Sequence, residues 1–299
     1  MGDRVVSRIL ITGSNGLLGD KLIAQLQDSN IPFLATSMGK NRNSSLKSNN
    51  YSALDIRDGI QMKEVFDKFN PTHVIHTAAL TNVDYCELNP VECFDVNVKA
   101  TERLFALCKA RNIHFQLLST DFVFDGMLGN YSEEDQRNPL SVYAESKCLA
   151  EDLLLNSDYR NWSVVRTIIL YGNAPHLSRG NLIVWAKSAL QEKKQIKVID
   201  DQYRAPTWAD DLAWACIRIC VLDKKGIYHI SGSETNSIYE LVERVAKHLG
   251  LSMDFVQKVD SQTLNQPAKR PPRTGFNLTK AKMELGYTPK TLEETLAFI

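Results

Sequence analysis

Tyr143 and Lys147 stand four residues apart in "LSVYAESKCLAE", residues 140–151. On a helix that spacing puts both side chains on one face. A phenol ordinarily keeps its proton up to about pH 10, too tightly for brisk proton transfer at neutral pH. A neighbouring ammonium favours the phenolate and lowers that value. The pair is therefore the raw material for proton exchange with an oxygen whose carbon gains or loses hydride. Ala150 and Leu154 continue the same face as an apolar stripe. A solvated Tyr/Lys pair does not usually share its face with such a stripe, although snorkelling lysines do. A third group comes from "LLSTDFVFDG", where Ser119-Thr120 ends an apolar run and can offer a hydroxyl to the substrate oxygen. A cap or turn is the plainer reading of either residue alone. Asp121 follows directly.

These groups need elements to hold them. "NP" at 138–139 has the composition of a helix start, with Asn138 as cap and Pro139 in the first turn. The helix then runs over about 139–156. "RILITG" (8–13), "FLATS" (33–37), "YSALD" (51–55), "HVIHTA" (73–78), "FQLLST" (115–120) and "SVVRTIIL" (163–170) read as strands. Helical patterns over 16–28, 58–69 and 90–111 alternate with them. That alternation predicts an α/β fold: a Rossmann-type doubly wound parallel sheet covered on both faces. Beyond 171 the pattern loosens, with helices near 181–193, 209–222, 237–249 and 279–285 and strands at 196–200 and 226–231. Residues 1–170, with 196–235 returning to them, are expected to form the dinucleotide-binding domain. Residues 171–195 and 236–299 form a smaller substrate-binding part.

The turn "GSNGLLG" spans Gly13, Ser14, Asn15, Gly16, Leu17, Leu18 and Gly19 between the first strand and first helix. Glycines there let the backbone turn tightly and approach a pyrophosphate, which the helix N-terminus attracts. A ligand-free strand–helix turn is the plainer alternative. An NAD site normally carries an acid about 20 residues further on. From Ser29 to Leu54 there is no Asp or Glu; Lys40 and Arg42 follow the second strand instead. Bases there attract a 2′-phosphate, so NADP is favoured and NAD stays open. Asp55 and Ile56, after the third strand, are placed to hold and cover an adenine. The stretch 39–50 is polar and reads as a mobile loop.

The chain has 299 residues, 43% hydrophobic and 23% charged, enough for a sizeable core. Thirty-five basic and 35 acidic residues cancel, which argues against nucleic acid and anionic membranes as partners. No apolar run is long enough to span a bilayer, and the N-terminal stretch lacks the features of a signal peptide. The six cysteines form no CxxC pair and have no histidine cluster beside them, so no metal is expected. Buried thiols in a reduced, cytoplasmic setting are the expectation.

The glycine turn, "HTAA" after the fourth strand, "STD" and Y-x-x-x-K together resemble the extended short-chain dehydrogenase/reductase family. More narrowly, "HTAALTNVDYCELNP", "VNVKAT", "STDFVFDG…YSEEDQRNPLSVYAESK", "RAPTWADDLA" and "KRPPRTGFNLTKAKMELGY" are similar to the dTDP-4-dehydrorhamnose reductases. That subfamily also includes the regulatory β-subunit of methionine adenosyltransferase. The resemblance implies Tyr143 as general acid, Lys147 on the nicotinamide ribose and Thr120 on the substrate oxygen. It implies Ala78, Ala79 and Leu80 along the cofactor and Asn97 in support. It places Thr81, Val83, Asp84 and Asp121 near the substrate, and Arg270, with Lys269 and Arg273, near the diphosphate of a nucleotide sugar. Where smaller residues are commoner, this chain has Tyr203 and Arg204, which with Trp208 are expected near the substrate. "YAESK" also departs from the frequent Tyr-Gly-x-Ser-Lys. Three functions follow as candidates: an NAD(P)H-dependent reductase of a 4-keto nucleotide sugar, an epimerase or dehydratase of the same fold, or a cofactor-binding regulatory subunit. A homodimer is compatible with each.

Overall fold

The computed structural model describes residues 7–174, 176–177 and 180–299. Residues 1–6, where the absence of a leader was read, lie outside them. The strands are β1 (Ile9–Thr12), β2 (Phe33–Ser37), β3 (Tyr51–Ala53), β4 (His73–His76), β5 (His114–Thr120), β6 (Trp162–Thr167), β7 (Leu170–Tyr171), β8 (Ile196–Ile199), β9 (Tyr203–Arg204), β10 (Thr207–Trp208), β11 (Gly226–Ile230), β12 (Asn236–Ser237) and β13 (Val256–Val259). The helices are α1 (Leu17–Ser29), α2 (Gly59–Phe69), α3 (Val83–Leu88), α4 (Pro90–Phe94), α5 (Ala100–Ala110), α6 (Val142–Leu155), α7 (Leu182–Gln191), α8 (Ala209–Val221), α9 (Ile238–Leu249), α10 (Thr279–Leu285) and α11 (Leu292–Leu296).

Seven strands form one sheet in the order β11-β6-β5-β4-β1-β2-β3, parallel throughout. Every residue of β1 and β5 is buried, as a parallel sheet covered on both faces requires. One apolar layer joins the sheet to α1 and α8 through Leu22, Leu26, Leu212 and Ile219. The other joins it to α2, α5 and α6 through Phe66, Leu104, Phe105 and Leu154. A third cluster, with Ile183, Val198, Trp208, Leu241 and Val245, is the core of the C-terminal layer. Among the described residues no helix is long and apolar enough to cross a membrane.

Strand order reverses between β1 and β4. The chain leaves β1 toward β2 and β3, then crosses back to β4 and continues the other way. Ligand crevices in such sheets open at the carboxyl ends of strands at this point. Gly13 follows β1 there, and Thr77 follows β4.

Three sequence expectations change. The segment that returns to the central sheet is β11, with α8 behind it; β8, expected to return with it, pairs in parallel with β13 outside that sheet. β8 is only half buried, with Lys197 exposed, and suits a peripheral pair. The cap of α6 is Ser141, whose hydroxyl accepts from Ala144 N, and Glu87 Oε2 accepts from Val142 N at 3.0 Å. Asn138 instead donates its side chain to Asp125 Oδ2, three residues short of the cap. The single helix expected over 90–111 is α4 and α5 joined by one π turn, Asp95–Lys99, an insertion frequent at functional sites.

α6 is tied to β6 by a buried ion pair. Glu151 is fully buried and accepts from Arg166 Nε at 2.9 Å and Nη2 at 2.7 Å. Arg137 Nη1 adds a third donor at 3.2 Å. Removing one partner of a buried pair strands the other charge. Glu151→Ala is therefore expected to lower stability by about 3–5 kcal/mol, read as the shift in a urea-unfolding midpoint.

Candidate functional site

The glycine turn is where the two halves of the sheet part. Gly13 has φ +73°, and a Cβ on it would lie 2.6 Å from Thr77 Oγ1 and 2.7 Å from Ala78 N. A Cβ on Gly19 would lie 2.5 Å from Ser14 Cα, so α1 can pack this close only as glycine. Gly16 differs: a Cβ there would meet Gly13 O at 3.3 Å and no other atom within 4 Å. It caps α1 with no side-chain hydrogen bond, leaving the first N–H groups of a 13-residue helix facing the crevice. Uncapped donors, a positive dipole end and a missing side chain together fit a pyrophosphate.

The crevice has a volume of about 880 Å³, in the range for a sizeable organic ligand. It runs from this turn past Thr120, Tyr143 and Lys147 to Arg270. Gly13, Gly16, Leu17, Leu18 and Gly19 line it, as do Asp55 and Ile56 at one end. Ala78, Ala79, Leu80, Thr81 and Val83 line the middle.

Tyr143 is 9% exposed, with Phe122 edge-on at 6.1 Å between ring centroids. Burial drives its pKa above the ordinary phenol value, against the Thr120 hydroxyl, which lowers it; Asp121 reinforces the rise. The expected depression by Lys147 is absent among the causes of that shift. Lys147 is itself 4% exposed. Desolvation pulls its ammonium down to about 8, opposed by Glu151 one turn further along α6. Its Nζ has no hydrogen-bond partner among the described residues. Thr120 Oγ1 accepts from Phe122 N at 3.2 Å and donates to Asp121 Oδ1 at 3.1 Å.

Asn97 sits on the π turn and braces the site from behind. Its Oδ1 accepts from Leu80 N at 2.8 Å; its Nδ2 donates to Leu80 O at 3.0 Å and Ser146 Oγ at 3.0 Å. It thereby joins the cofactor-side loop to α6 without lining the crevice. His76 extends the brace: Nδ1 lies 2.7 Å from Thr12 Oγ1 and Nε2 lies 3.0 Å from Thr101 Oγ1. Burial, with Lys147 adding to it, pulls the imidazole down to about 3, so it is neutral.

Several sequence-selected residues lie elsewhere. Ser14 and Asn15, within the turn, do not line the crevice, and Ser14 Oγ is buried without a partner among the described residues. Lys40 and Arg42 are exposed on the adjoining loop. That loop is tied down: Asn43 donates to Asp20 and Leu46 is buried. Asp84 does not reach the crevice wall; it holds Arg270, which does, at 2.8 and 3.1 Å. Arg204 is 1% exposed and spends its guanidinium on Tyr203 O, Pro271 O and Pro272 O. Trp208 packs on Tyr171 in the C-terminal core, and Tyr203 lies under the Arg273 guanidinium. None of these three lines the crevice; the bulky departures Tyr203 and Arg204, like Trp208, are engaged in packing. Asp121 does line it, but its buried carboxylate is held by Thr274 and lies 3.9 Å from Arg204 Nε.

The sequence reading missed Arg57, Asn82, Glu92, Thr167 and Ile169 on the crevice wall. Arg57 is locked to Asp55, Nη2 to Oδ2 at 2.7 Å, and adjacency to Asp55 was its one available signal. Ile169, a β-branched residue at φ +24°, carried no signal at all.

A family model described as RmlD substrate binding domain matches residues 7–299. The chain is similar to dTDP-4-dehydrorhamnose reductase of Aggregatibacter actinomycetemcomitans, 30% identical over 304 residues and covering 97% of each. It is similar also to methionine adenosyltransferase 2 subunit beta of Rattus norvegicus, 27% identical, covering 95% of this chain and 84% of that one. Among solved structures, a dTDP-4-dehydrorhamnose reductase from Clostridium acetobutylicum superposes with a TM-score of 0.84 at 26% identity, covering 97% and 96% of the two chains.

The two glycines make a paired test of the turn. Gly19→Ala forces Ser14 to move and is expected to cost about 1–3 kcal/mol in urea unfolding, as overpacking does. Gly16→Ala, with space above it, is expected to cost well under half as much and instead to weaken dinucleotide binding, measured by titration calorimetry.

Proposed function

The chain belongs to the RmlD substrate binding domain family, and from that premise we propose that it is an oxidoreductase reducing the 4-keto group of a nucleotide sugar with NADPH. The carrying observation is that Thr120, Tyr143 and Lys147 line the same crevice as the glycine turn and Arg270. The nicotinamide cofactor, when bound, supplies the hydride. Tyr143 gives its proton to the carbonyl oxygen as that oxygen gains charge. Its raised pKa suits this role, because the phenol stays protonated at neutral pH and is ready to donate. Thr120 orients the same oxygen. Lys147, deep in the crevice with free donors, holds ribose hydroxyls and offers positive charge to the phenolate once it forms. Arg270, steadied by Asp84, faces the diphosphate of the substrate.

NADPH rather than NADH is supported by the acid-free stretch after β2 and by Lys40 and Arg42 in it. A reducing cytoplasm is supported by the cysteines, all six buried as free thiols. A dehydratase would need Asp121 as a mobile acid. Its engagement with Thr274, Thr120 and Arg204 weighs against that.

The likeness to a regulatory β-subunit supports a second reading, in which the same crevice binds cofactor without turnover. Purified protein mixed with NADPH and a panel of 4-keto nucleotide sugars separates the two. Loss of absorbance at the reduced-nicotinamide band marks a reductase. Tight NADPH binding with no consumption on any substrate marks the regulator. In a reductase, Tyr143→Phe is expected to lower kcat by about 10²–10⁴-fold with NADPH affinity nearly unchanged.

Lys147 sets a pH limit. Its charged form is present below about pH 8 and lost as pH rises through that value. NADPH affinity is expected to fall above about pH 8 and to lose this dependence in Lys147→Met.

A further inference from the structure

Asn15 lies between the first two glycines of the turn, 9% exposed, and does not line the crevice. Its side chain is committed in both directions to one loop. Nδ2 donates to Lys40 O at 2.9 Å, and Oδ1 accepts from Arg42 N at 3.0 Å. One amide therefore clamps the backbone on both sides of Asn41 and holds the strand-end loop against the phosphate-binding turn. Tyr51 reinforces the clamp, its hydroxyl donating to Gly39 O at 2.6 Å. Asn43 anchors the far side by donating to Asp20 Oδ1 at 2.8 Å.

The side chains that this clamp presents are unusual in their freedom. Lys40 and Arg42 are exposed and have no acidic partner among the described residues. Arg57, on the crevice wall at this end, is already paired with Asp55 through three contacts of 3.2 Å or less. Asp20, the nearest acid on α1, is engaged by Asn43 and lies 3.5 Å from His176 Nδ1. Lys40 and Arg42 thus stand uncommitted directly after β2, the strand whose end normally carries the ribose-binding acid.

We propose that Asn15 is a positioning residue for cofactor selectivity: by clamping the backbone at Lys40 and Arg42 it sets their side chains against the 2′-phosphate of NADPH. It touches neither the phosphate nor the reacting atoms. A bare loop would carry the same two charges, but each would need ordering when the cofactor binds; the clamp spends that ordering at folding. This inference rests on the NADPH reading, and it concerns which residues enforce that preference.

Calorimetric binding of NADPH and NADH, and of adenosine 2′,5′-bisphosphate against ADP, tests it without turnover. The wild-type protein is expected to prefer the 2′-phosphorylated member of each pair. Asn15→Ala is expected to weaken NADPH and the bisphosphate by about tenfold while NADH and ADP change less than about threefold. The surface variant Lys40→Ala/Arg42→Ala should show the same pattern, and adding Asn15→Ala to it should change the NADPH:NADH ratio no further. Equal weakening of all four ligands by Asn15→Ala would mean that it merely shapes the turn, and the inference falls alone. Unchanged selectivity in Lys40→Ala/Arg42→Ala also overturns it, even where Asn15→Ala fails to fold. A wild-type protein without 2′-phosphate preference overturns the NADPH reading and the inference together.

Discussion

The structure depends on one close approach. Where the sheet parts between β1 and β4, Gly13 comes so near Thr77 and Ala78 that no Cβ fits between them. Gly19 repeats the constraint between α1 and the turn. Because both contacts are backbone against small groups, the N-terminus of α1, its N–H groups uncapped, is held at the mouth of the crevice. The same approach sets the loop after β4, whose Ala78, Ala79 and Leu80 form the wall opposite. A hydrogen-bond chain through Asn97, Ser146 and the π turn then fixes that wall to α6. Positioning of the Tyr143/Lys147 helix thus traces back to space available at one glycine.

Electrostatics in the crevice follow from dryness. Burial dominates the shifts of Tyr143, Lys147, His76 and Asp121, and in each case it disfavours the charged form. A neutral phenol is the starting state that a proton donor needs. Glu151 works against the trend at Lys147, but its main engagement is with Arg166. The carboxylate that anchors α6 to the sheet is therefore also the charge that keeps the lysine cationic.

Much of this was legible in the chain. β2 and α10 fall where the patterns predicted them, and α1, α2 and α9 begin within a residue of prediction. Apolar periodicity and glycine punctuation are local signals, and these elements have strong ones. The α6 start was misread because Asn138-Pro139 is a good local cap, yet Asn138 is drawn to Asp125 and Ser141 meets the helix. Tyr203, Arg204 and Trp208, expected near the substrate, do not line the crevice, for a related reason. Bulk and polarity mark a residue as significant without saying whether it faces ligand or core, and Arg204 turned out to be satisfied by backbone carbonyls.

By itself the sequence determined the alternation of elements, the glycine turn, the Tyr143/Lys147 face and the missing acid after β2. Each is a property of residue type and spacing within one segment, and segments of that length carry their own periodicity. Tertiary structure alone decided which strand rejoined the sheet, which cations stayed free and which way the phenol titrates. Those depend on contacts across wide gaps in the chain, such as Asp84 with Arg270 or Asn15 with the Lys40 loop, and on burial. Burial comes from the packing of the whole molecule, and no single segment encodes it.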